Sequence, residues 1–196
     1  MYRKYIKRLL GLFFALLGLP IFALIFLIVA PLIFLEDKGP IFYNAPRLGR
    51  NGRIFNMFKF RSMRVNAPDI RNSDGTTFNS EDDPRVTRIG KILRKTSLDE
   101  IPQILNVLIG NMSFVGPRPD LPGAEKEIYR PGDIEKLSVN PGITGYSQAY
   151  YRNSSTLAQR FDGDVYYAKN VSFFLDLKIM IKTVEIVLTH QNVYRN

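Results

Sequence analysis

The sequence predicts an α+β chain, mainly helical, with an N-terminal helix embedded in a membrane, a small β-hairpin, and amphipathic surface helices around a globular core. Three observations carry this. Residues 9 to 35 contain no charged side chain. An Asn-Gly turn at 51–52 separates two runs of strand-forming residues. Apolar residues recur at helical spacing over 85–108 and again over 161–188. With 196 residues the chain fits one domain plus a small appendage. The composition changes after residue 36, which divides the chain into a membrane segment, 1–37, and a globular domain, 38–196.

The apolar run "LLGLFFALLGLPIFALIFLIVAPLIFL" is long enough to cross a bilayer as a helix. It is too long for the apolar region of a signal peptide, and no small-x-small cleavage site follows it, so it reads as retained. Pro20 removes a hydrogen bond near its middle and is expected to kink it. Both flanks are basic: Arg3, Lys4, Lys7 and Arg8 before, then Lys38, Arg47, Arg50 and Arg53 after. Cationic flanks favour the cytoplasmic side, and here both ends qualify. The residues leave open a helix that turns back to the same face and an ordinary kinked spanning helix.

Hydrophobic residues make up 45% of the chain, enough for a packed core. The net charge of +9, from 27 Lys and Arg against 18 Asp and Glu, calls for an anionic partner: lipid headgroups, phosphorylated substrates or nucleic acid. There is no cysteine, which excludes disulfides, thiolate metal sites and cysteine nucleophiles. The single histidine is His190, near the end, so histidine triads and His-rich metal sites are poor fits. The side chains left for chemistry are carboxylates, Arg, Lys, Tyr and hydroxyls, a set that suits a hard cation such as Mg²⁺.

In the hairpin, residues 39–63, alternation places Phe58 and Phe60 on one face of the second strand and Lys59 and Arg61 on the other. The two cations point either to solvent or to a phosphate or headgroup. Residues 66–84 are polar and turn-rich and read as a mobile loop, with Asp82 and Asp83 as solvated loop residues. A helix follows with Ile89, Ile92 and Leu93 on one face and Arg88, Lys91, Arg94 and Lys95 as a basic flank. The next helix carries Ile101, Ile104, Leu105 and Leu108. Pro102 fits only its first turn, so it should begin near Asp99, and Gly110 should end it. Residues 161–188 read mostly as one amphipathic helix, lying on a membrane surface or closing the core.

Between the two middle helices stands an adjacent acid pair, Asp99 and Glu100, and downstream Arg118 is wedged between Pro117 and Pro119. Asp99 as a helix N-cap, with Glu100 complementing the dipole, is the structural reading. The basic flank and the rigid arginine point instead to phosphate chemistry. One carboxylate can attack phosphorus. A second can hold Mg²⁺ against phosphate oxygens. Arginines clamp the remaining charge in bidentate fashion. Adjacent residues on a helix point about 100° apart, which favours two distinct roles over a shared proton.

The block "SLDEIPQILNVLIGNMSFVGPRP" resembles the signature of the bacterial sugar transferases, the monotopic phosphoglycosyl transferases, and "FKFRSM", "NPGITGYSQ" and "DVYYAKNVSFFLDLKI" support it. The resemblance runs from Met1 to about Leu188. It implies transfer of a sugar-1-phosphate from a UDP-sugar to undecaprenyl phosphate with loss of UMP, beginning surface-glycan or glycoprotein-oligosaccharide assembly. It also implies a re-entrant membrane helix, seating among membrane phospholipids on the cytoplasmic face of the bacterial inner membrane, and no nucleic-acid partner. By resemblance, Asp99 is the nucleophile that forms a phosphosugar ester and Glu100 a Mg²⁺ ligand, with Asp99 beside the metal. Arg118, Arg94, Arg152 and Lys59 fall where the family binds substrate. Two positions depart from the family pattern: Asn140 replaces the usual Arg before Pro-Gly-Ile-Thr-Gly, and Leu19 replaces a small polar residue before the membrane proline.

Two other readings compete. Asp162 and Asp164 form an Asp-x-Asp that could hold a metal–nucleotide complex in an ordinary glycosyltransferase, although such enzymes need a larger nucleotide-binding domain than this chain leaves. A basic, membrane-anchored scaffold without activity would explain the charge and the apolar segment but not the "SLDE…GPRP" block.

Overall fold

The computed structural model describes residues 1–70, 78, 80, 82–151 and 156–189. Its first element, after a wide helical turn over Tyr2–Ile6, is helix α1, Lys7–Asp37. At 1.5 Å per residue it is about 46 Å long. It is long and apolar enough to cross a membrane, which fits membrane association. Pro20 lies inside it without ending it, and Pro31 is a second interior proline that the sequence reading passed over.

One stripe of α1, Gly11, Ala15, Gly18, Phe22, Ile25, Phe26, Val29 and Ile33, repeats at spacings of three and four and is the face turned to the rest of the molecule. The small residues allow close approach. A Cβ at Gly18 would stand 2.5 Å from Cδ1 of Ile104. The opposite face exposes Phe13, Leu17, Leu24 and Leu27.

Strands β1, Phe42–Leu48, and β2, Ile54–Phe60, form the expected antiparallel hairpin, with Phe42 opposite Phe60 and Leu48 opposite Ile54. Its turn places Asn51 (φ 57°) and Gly52 (φ 74°) in the left-handed region, which Asn and Gly tolerate best. Phe60 stacks with Phe42, Phe22 and Phe26, joining the hairpin to α1.

Helix α2, Arg88–Thr96, is capped by the Thr87 hydroxyl, which accepts the Gly90 N–H. Leu93 is buried against α1, but Ile92, expected on the same face, is exposed: the nine-residue helix has room for a narrow contact stripe only. A 3-10 turn, Leu98–Glu100, leads to α3, Gln103–Ile109, with Pro102 just before it. The α-helix therefore starts four residues later than expected, and Asp99 is not its N-cap. Gly110 (φ 92°) ends it as expected.

Strand β3, Ser113–Val115, pairs in parallel with β4, Gly142–Thr144, and between them lies the short helix α4, Ala124–Glu127, and a 3-10 turn, Asp133–Ser138. The two backbones meet just after β3. A Cβ at Gly142 would lie 2.1 Å from the Gly116 nitrogen, so only glycine permits this crossing. Helix α5, Tyr146–Tyr150, follows.

The expected single helix over 161–188 is two helices, α6, Leu157–Lys169, and α7, Phe173–Thr189. The break falls at Asn170, whose amide donates back to the Tyr166 carbonyl. On α7, Ile179 is fully buried, whereas Phe174, Ile181 and Val184 are exposed, so the helix closes the core along one narrow edge and leaves a wide apolar face outside.

Candidate active site

The turn between α2 and α3 presents Asp99 and Glu100, and the residue before it explains how. Ser97 sits in the left-handed region (φ 58°), a conformation that costs a non-glycine residue about 1 kcal/mol, and its N–H returns to the Arg94 carbonyl. This closes α2 sharply and throws the next three residues into the 3-10 turn.

Lys59 comes to the pair from β2. Asn106 of α3, fully buried, accepts the Phe58 N–H at 2.9 Å and donates to the Asn56 carbonyl at 2.8 Å, acting as a substitute strand along the free edge of β2. That seam places the Lys59 ammonium 2.5 Å from Oε1 of Glu100. Arg61 is buried as well, with its guanidinium held by both oxygens of Asp37. Neither cation points to solvent. Their alternation is as expected, but both meet carboxylates brought from distant parts of the chain.

Arg94, in the last turn of α2, donates from Nε to the Ser62 hydroxyl at 3.0 Å, and its charge acts on Asp99. Arg118 is exposed, and its charge acts on Glu100. Its loop is tied on both sides. The Gly142 N–H donates to the Pro117 carbonyl at 3.0 Å, and the Leu48 N–H to the Asp120 carbonyl at 2.8 Å. The Asp120 carboxylate accepts from buried Lys136 at 2.7 Å and from the Tyr129 hydroxyl at 2.8 Å. Five of the six predicted site residues thus converge. Arg152 lies outside the described residues.

The two carboxylates differ in acidity. Burial among protein atoms pushes Asp99 up to about 6, helped by the charge of Glu100 and opposed by Lys59 and Arg94. Burial pushes Glu100 up too, but the charges of Lys59 and Arg118 and hydrogen bonds from Lys59 and Gln103 outweigh it, leaving Glu100 below its ordinary range. Two adjacent acids are therefore tuned in opposite directions by unequal sharing of the same cations.

No group of three or more His, Cys, Asp or Glu side chains suited to a metal occurs among the described residues. Mg²⁺ does not require one, because it keeps several waters and binds through one or two carboxylates plus substrate phosphates. Lys59 and Gln103 both donate to the Glu100 carboxylate, whose oxygens have lone pairs to spare, and the Asp99 carboxylate adds further hard oxygen donors. That donor set fits.

Several residues of the sequence reading lie elsewhere. Asp83, expected in solvent, is buried with Arg85, which also holds the Pro68 and Phe78 carbonyls. Asp162 and Asp164 lie within α6, two residues apart and so about 200° apart around its axis. Asp162 pairs with Arg130 on the surface, and Asp164 is buried against Lys136 and Ser147. The pair cannot close on one metal–nucleotide complex, which removes the Asp-x-Asp reading. Asn140 donates to the Gly110 carbonyl at 3.0 Å, so the departure from the usual Arg serves as a cap for α3. Asn106, Gln103, Asp120 and Lys136 were missed. The signal for the first two was polar residues inside an apolar helical run.

Fold and site together define an acid pair in a cationic setting, built on a body clasped to a long apolar helix. The chain belongs to the bacterial sugar transferase family, whose model matches residues 2–190. It is 44% identical over 193 residues to the galactosyl transferase CpsE of Streptococcus agalactiae serotype III (strain NEM316), covering 93% of this chain and 42% of that protein. It is 38% identical to an Aeromonas hydrophila UDP-N-acetylgalactosamine-undecaprenyl-phosphate N-acetylgalactosaminephosphotransferase, covering 94% of this chain and 44% of that one. Identity to the exopolysaccharide production protein ExoY of Rhizobium meliloti (strain 1021) is 38%, covering 96% and 88%. The chain thus spans under half the length of the first two relatives and most of the third.

Proposed function

We propose that this chain is a phosphoglycosyl transferase that moves a sugar-1-phosphate from a UDP-sugar to undecaprenyl phosphate and releases UMP, through a phosphosugar ester on Asp99. The observation that carries this is the adjacent acid pair set among Lys59, Arg94 and Arg118, with Lys59 bonded to Glu100, and the opposed tuning of the two carboxylates supports it. At neutral pH an Asp99 that titrates at about 6 is ionised yet more basic than an ordinary carboxylate, which favours attack on phosphorus. Glu100, kept acidic by Lys59 and Arg118, stays charged. The Aeromonas relative's name supports the donor and acceptor classes.

In the first step an Asp99 carboxylate oxygen attacks the sugar-bearing phosphorus, and the bond from that phosphorus to the bridging oxygen breaks, releasing UMP. In the second, an oxygen of undecaprenyl phosphate attacks the same phosphorus and Asp99 leaves as its carboxylate. Lys59, Arg94 and Arg118 offset the phosphate charge in both steps and hold it in line. Glu100, with Asp99 beside it, would hold Mg²⁺, which neutralises phosphate oxygens.

The acceptor is a membrane lipid, and the reading places the protein on the cytoplasmic face of the bacterial inner membrane as a monotopic enzyme with α1 re-entrant among phospholipids. The clasps at both ends of α1 and the exposed apolar face of α7 support that seating. The test is incubation with a UDP-sugar alone, across a panel of sugars. One equivalent of UMP should appear, with a phosphosugar mass on the peptide carrying Asp99. Turnover that requires both substrates together, with no adduct on Asp99, would overturn the two-step reading.

A further inference from the structure

Segment 88–110, which carries both carboxylates, lies antiparallel along α1, and each end of α1 holds one end of it. At the C-terminal end, Glu36 accepts the backbone N–H of Arg88 at 2.6 Å and of Ile89 at 3.0 Å. Thr87 takes the Gly90 N–H at 2.9 Å, so the opening donors of α2 are satisfied through Gly90. At the N-terminal end, Arg8 donates to the Val107 carbonyl and, at 2.8 Å, to the Leu108 carbonyl in the last turn of α3. Between these clasps Gly11 faces Val107, Gly18 faces Ile104, and Val29 and Ile33 share a cluster with Leu93. Each charge also suits the dipole it meets, a carboxylate at a helix N-terminus and a guanidinium at a C-terminus.

Helix α2 depends on this support. Nine residues, about 13 Å, do not make a stable helix alone. Its only buried residues are Gly90 and Leu93. Gly90 already fits tightly, since a Cβ there would meet the Ser62 carbonyl oxygen at 2.0 Å. Its far end is Thr96, followed by the constrained Ser97 and then the turn with Asp99. Any slide or fraying of α2 moves that turn directly.

We infer that Glu36 is a positioning residue for Asp99: from the end of the apolar helix, its carboxylate fixes α2 and so sets where the acid pair stands. Glu36 bonds to the N-terminal end of α2, away from the Asp99 turn, so it acts through that helix. This rests on Asp99 being the nucleophile, and the test has one arm that does not. The full chain in lipid nanodiscs is compared with Glu36→Ala, Glu36→Gln and Glu36→Asp. By hydrogen exchange, Glu36→Ala should exchange faster at residues 88–90 and also at 98–101, and Glu36→Gln, which keeps a carbonyl acceptor, should restore most of the protection. In turnover with a UDP-sugar and undecaprenyl phosphate, Glu36→Ala should lose roughly tenfold in kcat, with KM for the donor within about twofold. Faster exchange confined to 88–90, or wild-type kcat in Glu36→Ala, would overturn the inference. Should Glu36→Ala fail to fold, Glu36→Asp, whose shorter reach loses these contacts, should exchange faster at 88–90 and 98–101 and turn over more slowly than Glu36→Gln, and wild-type exchange and kcat in it would overturn the inference equally. A wild type that forms no adduct on Asp99 refutes the catalytic reading, and the exchange arm still decides whether Glu36 holds the 98–101 turn.

Discussion

At the residue scale, the acidity of Asp99 links activity and stability with opposite signs. Attack needs the carboxylate, so at low Mg²⁺ kcat/KM should rise about tenfold per pH unit up to about 6 and level off above it, and raising Mg²⁺ should move that limb to lower pH, measured as UMP release from a UDP-sugar. Stability runs the other way. The folded state holds the proton on Asp99 up to about 6, whereas the ordinary value is 3.8. Across that window the native state binds more protons than the unfolded chain, so stability falls as pH rises, and the deficit persists at neutral pH. Asp99→Asn removes the buried charge. It should abolish the adduct yet raise stability at pH 7 by on the order of 1–3 kcal/mol, with a gain that shrinks to nothing below about pH 4. Thermal melts of both proteins at pH 4 and pH 7 check this, and an equal midpoint at both pH values would show that Asp99 does not carry the strain.

At the element scale, the site depends on a seam between α3 and β2 that a single residue makes. Replacing Asn106 with Leu would leave the Phe58 N–H and the Asn56 carbonyl without these partners at a half-buried seam, at a cost of about 1–3 kcal/mol. Because the seam also brings Lys59 to Glu100, the same variant should lose activity beyond its loss of stability, seen as reduced turnover per folded molecule in a melt-calibrated assay. The seam shows where sequence reading stops. The hairpin, its Asn-Gly turn, the glycine stop at 110 and the acid pair were legible because each is a local signal: turn chemistry, period and adjacency. Asn106 was visible only as an irregularity in an apolar run, since its partners are some fifty residues away in sequence. The same holds for Arg61 with Asp37 and for Lys136 with Asp120, pairs whose meaning depends on which distant segments meet. Period also failed at 161–188, where a continuous amphipathic pattern hid the break at Asn170.

At the scale of the whole molecule, the question is how a 31-residue apolar helix and a strongly basic body share one membrane. Each end of α1 is fastened to the same body. Near its start, Arg3 donates to the Ser138 carbonyl at 3.0 Å and Lys7 pairs with Asp176. At its finish, Glu36 holds α2 and Asp37 holds Arg61. Between them the body runs along the helix stripe, bringing Lys59, Asp99 and Glu100 with it. If α1 stood upright across a bilayer with these contacts intact, those charges would sit at hydrocarbon depth, which costs several kcal/mol for each. A helix that dips in and returns keeps the body at the headgroups, where basic residues are attracted by roughly 1 kcal/mol each. The absence of cysteine allows a direct test. Lys4 and Lys95 are both exposed, one beside the start of α1 and one on α2. Single cysteines at Lys4→Cys and Lys95→Cys should both react with a membrane-impermeant maleimide from the cytoplasmic side only, in inverted and not in right-side-out vesicles. Reaction of the two from opposite sides would mean that α1 crosses the membrane, and the clasps at one of its ends would then have to open whenever the protein is in its bilayer.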